Sequence, residues 1–113
     1  MKLIVAYVQP ARFEAVKKEL FIRSITKMSV SNAVGCGQQM GYTETYRGTI
    51  KQINLRSKIR LEIAVNDNFV EPTIEGIIKG ARTGKIGDGK IFITNLEECI
   101  RIRTGEKGGD AIG

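Results

Sequence analysis

An α+β fold, with two helices packed on one face of an antiparallel sheet, is predicted by three observations in this 113-residue sequence. Met1 to Gln9 and Lys58 to Val65 carry branched apolar residues in the patterns of strands. Ala11 to Arg23 and Val70 to Ala81 repeat apolar residues at helical spacing. A glycine-rich run, Thr83 to Lys90, separates the second helix from a further apolar strand.

Each element has its own warrant. In Met1 to Gln9, Leu3, Val5 and Tyr7 share one face and Ile4, Ala6 and Val8 the other. Apolar residues on both faces indicate a central strand, which Pro10 ends. Phe13, Val16, Leu20 and Phe21 mark the apolar stripe of the first helix. Lys27 to Val34 reads as a strand with Met28, Val30 and Val34 placed for burial. A long polar segment then runs to Ser57, and loops of that length in small domains usually carry function. Lys58 to Val65 alternates strictly. Asn66, Asp67 and Asn68 offer caps to the second helix, whose stripe is Val70, Ile74, Ile77, Ile78 and Ala81. Strands are expected at Lys90 to Thr94 and at about Cys99 to Arg103, followed by a loose tail over about 105–113.

The whole is one domain, 1–113, with the strand–helix–strand–strand–helix–strand order of a ferredoxin-like βαββαβ sandwich. Such an order leaves one sheet face bare. Apolar residues on both faces of the first strand therefore predict an oligomer that covers it.

Composition removes several chemistries. The chain has no histidine, which excludes the commonest general base, the serine triad and most zinc sites. Cys36 and Cys99 lack metal-ligand spacing and read as reduced structural thiols. No stretch is apolar enough to span a bilayer, and Met1 to Val5 lacks the pattern of a signal peptide, so a cytoplasmic protein is expected. The net charge of +6 fits phosphates, an acidic partner or nucleic acid, but 6% aromatic residues without interleaved basic residues argue against a single-strand platform.

The chemistry concentrates near the C-terminal end. Gly84, Gly87 and Gly89 alternate with Lys85 and Lys90. Successive backbone N–H groups in such a turn form an anion-binding concavity, and lysine adds a full charge. Arg101 and Arg103 are expected on one strand face, where planar guanidiniums suit phosphate. The set describes a polyphosphate site, with a nucleotide as ligand. It is not a P-loop, because Ile91 follows Lys90 where Ser or Thr would hold magnesium. Asp88 is the single acid near the cradle and reads as a turn residue.

These residues resemble the nitrogen-regulatory PII signal-transduction family. Thr83 to Phe92 and Ile100 to Glu106 carry the family's C-terminal signature, and Thr43-Glu44 with Tyr46-Arg47-Gly48 carries the start of its long T-loop, here about 37–57. The resemblance covers essentially the whole chain. It implies a homotrimer that is not an enzyme, with ATP and ADP competing in clefts between subunits and 2-oxoglutarate binding beside ATP through magnesium. Carried over, Gly87, Asp88, Gly89, Lys90, Arg101 and Arg103 hold phosphates, with Gly37 and Gln38 on the cleft's other side. Met28, Ser29 and Ala64 border the adenosine. Gln39 holds magnesium, and Gln39, Gly41 and Lys58 take 2-oxoglutarate. Tyr46, Arg47, Gly48 and Lys51 belong to the loop that meets a target, either a membrane transporter or a cytoplasmic enzyme.

Departures from the pattern carry expectations of their own. Lys51 stands where many bacterial members carry the uridylylated tyrosine, which excludes that modification. Thr49 replaces a serine phosphorylated in some members, and Met40 replaces a common lysine. Gln38 replaces a common arginine, which should bring ADP affinity up to that of ATP. The distal loop, Ile50 to Ser57, is basic where the usual version is acidic and aromatic. The alternative reading is a PII-like sensor of another small anion or nucleotide, such as ADP or AMP, that regulates a target outside nitrogen metabolism.

Overall fold

The computed structural model describes residues 1–35, 42–44, 51–53 and 55–113. Four strands form one antiparallel sheet: β1 (Lys2–Val8), β2 (Ser29–Gly35), β5 (Arg56–Val65) and β6 (Lys90–Asn95), in the order β2-β5-β1-β6. Helices α1 (Phe13–Ile22) and α2 (Val70–Ala81) connect them. This is the predicted ferredoxin-like arrangement. β3 (Tyr42–Glu44) and β4 (Lys51–Ile53) pair antiparallel in a separate ribbon, so the long polar segment carries strands that its composition did not announce.

Alternation sorts the strands into two faces. Ile4, Ala6 and Val8 of β1 and Leu61, Ile63 and Val65 of β5 are buried under the helices. They meet Val16 and Leu20 of α1 and Ile77 and Ala81 of α2 in one core. Phe21, expected on the α1 stripe, is instead 48% exposed, because Val16 and Leu20 already define the buried line. The two helices approach closely at Gly80. A β-carbon there would lie 2.5 Å from the Val16 α-carbon, so only glycine fits.

The other face lacks helices. Its central rungs are Ser31, Arg60, Tyr7 and Lys90, then Ser29, Glu62, Val5 and Phe92. Tyr7 and Phe92 meet edge to face at 6.3 Å. Arg60 pairs with Glu62 at 3.1 Å and lies over the Tyr7 ring at 6.0 Å, while its Nε is buried without a partner among the described residues.

Four expectations need correction. Val30 and Val34, placed for burial, are 46% and 66% exposed, because β2 is the edge strand of the sheet. No strand runs over Cys99 to Arg103. Ile100 bridges only to Lys107, and residues 102–104 turn, because Gly105 at φ 76° and Gly108 at φ 82° let the chain double back. The tail is tied down by its own backbone. Arg101 N–H donates to the Glu106 carbonyl at 2.8 Å, Gly108 N–H to Cys99 at 2.9 Å, and α3 (Gly109–Ile112) follows. Finally, Asn66 and Asp67 do not cap α2. A 3₁₀ turn, Asp67–Phe69, leads into the helix, and Asn66 Nδ2 instead donates to the Gly109 carbonyl at 3.1 Å.

Candidate functional site

The glycine-rich turn is held from both sides. Helix α2 ends at Ala81, and Arg12 Nε donates to the Gly80 carbonyl at 2.9 Å, satisfying one of the carbonyls that a helix end leaves open. Asp88 then closes the turn on itself. Its carboxylate accepts the Thr83 N–H at 2.8 Å, the Gly84 N–H at 2.9 Å and the Thr83 hydroxyl. Those bonds, the Thr83 hydroxyl foremost, hold the carboxyl below the usual aspartate range, with Arg12 assisting. Asp88 is thus a clamp whose oxygens are spent inside the turn.

Gly84, Gly87 and Gly89 take φ of 88°, 107° and 106°. Gly89 lies against β1: a β-carbon there would meet the Tyr7 carbonyl oxygen at 1.8 Å. The Gly87 carbonyl accepts Lys58 Nζ at 3.1 Å and Gln9 Nε2 at 3.1 Å. Lys90 opens β6 opposite Tyr7 and is exposed. The structure therefore gathers Gly87, Gly89 and Lys90 of one segment and Lys58 of another at one end of the sheet. Two cations and a glycine turn there suit an anion.

Arg101 and Arg103 do not join them within the chain. β6 carries the chain from Lys90, opposite Tyr7, to Asn95, opposite Lys2. Five residues at about 3.3 Å each separate the two ends by about 17 Å. The 100–107 turn lies beyond the far end, where α3 meets Asn66. There Arg101 donates to Glu106 Oε1 at 2.7 Å and to the Asp110 carbonyl at 3.0 Å, and Arg103 is exposed. The expectation of two arginines side by side on a strand fails for this reason. Ala64 lies opposite Leu3, toward the same far end, and is exposed. Ser29 opens β2 opposite Glu62 and is exposed, and Met28 packs half-buried on the core.

The profile of the family described as Nitrogen regulatory protein P-II matches residues 1–106. The chain belongs to the nitrogen regulatory protein P-II family. It is similar to Nitrogen regulatory protein P-II of Azospirillum brasilense, 47% identical over 112 residues that cover 99% of this chain and 100% of that one. It is likewise similar to Nitrogen regulatory protein GlnK1 of Methanosarcina mazei, at 49% over 114 residues covering 99% and 97%. Membership in the P-II family makes this a regulator in nitrogen signal transduction.

Seven of the residues expected in a P-II site, Gly37, Gln38, Gln39, Gly41, Tyr46, Arg47 and Gly48, lie outside the described residues. Lys51 belongs to β4 by its backbone. Among the described residues no group of three or more His, Cys, Asp or Glu could hold a metal ion, and no helix is long and apolar enough to cross a membrane. Sequence reasoning missed Gln9 and Arg12, and it placed Thr83 at the head of the turn without its bond to Asp88. Each acts on one atom far away in the chain or inside a turn, and none carries a periodic signal.

Proposed function

We propose that this P-II protein is a non-catalytic sensor of ATP and ADP that works as a homotrimer. Nucleotide phosphates would sit between the Gly87–Lys90 turn of one subunit and Arg101 and Arg103 of the next. The observation that carries this reading is the placement of the two cationic groups at opposite ends of one sheet. A single subunit offers half a site at each end, and a ring of subunits would join unlike halves. The helix-free sheet face, with Leu3, Val5, Tyr7 and Phe92, supplies surface for such packing.

In this reading Met28, Ser29 and Ala64 border the adenosine, and Gln38 with Gly37 approaches the outer phosphates. With ATP bound, magnesium held by Gln39 would admit 2-oxoglutarate, whose far carboxylate pairs with Lys58 beside Gly41. The T-loop, with Tyr46, Arg47, Gly48 and Lys51, would carry the state to a target, a transporter at the membrane or a soluble enzyme. No nucleic acid is needed.

Calorimetry with ATP, ADP and AMP, each with and without magnesium and 2-oxoglutarate, tests the reading. Sedimentation of the same samples reports the assembly. ATP and ADP are expected to bind a trimer with similar affinity. Failure of all three nucleotides to bind, or binding to a monomer, overturns it.

A further inference from the structure

A carbonyl oxygen has two acceptor lone pairs. Gly87 fills both with side chains from other segments, Gln9 Nε2 and Lys58 Nζ, each at 3.1 Å. Gln9 stands between β1 and the 3₁₀ turn Pro10–Arg12. Its backbone is fixed at φ −69° and ψ 140°, and its carbonyl accepts the Arg12 N–H at 2.9 Å. Both donors are half-buried, and both line a groove of about 740 Å³ with Arg56, Thr83, Lys85 and Ile86.

The donors differ in what can draw them away. Lys58 is a cation on a flexible stem. Its bond to the Gly87 carbonyl is charge-assisted from one side only, whereas a carboxylate in the groove adds the attraction of an opposite full charge. Gln9 is neutral, and an incoming anion gives it no comparable reason to leave. When an anion engages Lys58, Gln9 becomes the remaining support of the Gly87 carbonyl. That support has a direction. The C=O of Gly87 and the N–H of Asp88 belong to one planar trans peptide and point opposite ways. Holding the carbonyl therefore aims the Asp88 N–H and steadies a turn whose φ at Gly87 is 107°.

We propose that Gln9 is a positioning residue: it holds the Gly87 peptide in place while Lys58 exchanges between the Gly87 carbonyl and an anionic effector. Gln9 thereby keeps anion capture at Lys58 from loosening the nucleotide turn. This rests on the sensor reading above only for the identity of the ligands.

Two measurements test it. The first needs no ligand: amide hydrogen exchange over residues 83–90 in the wild type, Gln9→Leu, Lys58→Met and the double variant. Each donor backs up the other, so the single variants should accelerate exchange little and the double variant by more than their product. Gln9→Lys, which keeps a donor of similar reach, should exchange like wild type. Multiplicative effects, or Gln9→Leu alone matching the double variant, overturn the proposal. The second titrates ATP with magnesium in the presence and absence of 2-oxoglutarate. Gln9→Leu should cost up to about tenfold more in ATP affinity with the anion than without it. An equal loss in both conditions makes Gln9 a plain structural support and also overturns the proposal. A wild type that binds no nucleotide overturns the sensor reading instead, and the exchange cycle then decides Gln9 alone.

Discussion

Gly80 of α2 and Val16 of α1 stand at backbone contact: a β-carbon on Gly80 would lie 2.5 Å from the Val16 α-carbon and 2.6 Å from its nitrogen. Neither atom can swing aside as a side chain could. One helical turn earlier, a β-carbon on Gly76 would press on side chains, Leu20 Cδ2 at 3.0 Å and Arg23 Cδ at 3.3 Å, and would meet backbone, the Glu19 carbonyl carbon, only at an ordinary 3.5 Å. The two helices are thus positioned by one glycine and merely accommodated by the other.

The two positions should respond differently to alanine. Alanine in a helix gains about 0.8–1 kcal/mol over glycine. Forced backbone displacement costs about 1–3 kcal/mol. At Gly80 the second effect wins, so Gly80→Ala should lower the denaturant midpoint. At Gly76 the side chains yield and the terms nearly cancel, so Gly76→Ala should stay within about 0.5 kcal/mol of wild type. Protein concentration must be held fixed, because the proposed trimer would add to apparent stability. A Gly80→Ala protein as stable as wild type would show that the helices separate without cost.

The Asp88 clamp sets a pH dependence of known sign. The folded carboxyl lies below its ordinary 3.8, principally through the Thr83 hydroxyl. The stability it contributes is therefore fully present above 3.8 and disappears as pH falls through the lower folded value. A carbon-detected titration should place the Asp88 midpoint below 3.8, with the Thr83 and Gly84 amides shifting in step. Thr83→Val should move that midpoint upward. A wild-type midpoint at or above 3.8 would mean that the clamp does not hold in solution.

Sites built from two subunits can be complemented. Lys90→Ala and Arg103→Ala should each weaken nucleotide binding more than tenfold, since each deletes a charge-assisted bond worth about 1.5–3 kcal/mol. Trimers refolded from an equal mixture of the two variants should regain about one quarter of the sites, those joining an intact turn to an intact arginine. Mixed trimers that remain inactive would show that both cations serve a site inside one subunit.

The strands and helices were legible because each stretch repeats its own signal. Alternation in Lys58 to Val65 and helical spacing in Val70 to Ala81 need no long-range information, and α2 occupies the very residues expected. The glycine turn was legible too, since Gly84, Gly87 and Gly89 take the positive φ that glycine permits. Residues 99–103 misled because Ile100 and Ile102 alternate like a strand, while the glycines that reverse the chain come later, at 105 and 108. Local apolar pattern cannot report a partner strand, and without one Arg101 turned to Glu106.

What only the tertiary structure decided is which distant groups meet. Gln9 reaches Gly87 across 78 residues, and Arg12 reaches Gly80 across 68. It also placed Lys90 and Arg101 at opposite ends of the sheet, although they are close in sequence. The sequence by itself determined the period, the turn chemistry and the family. Strand direction and register determined the site, because a pairing of strands translates separation along the chain into position in space, and no local preference encodes that translation.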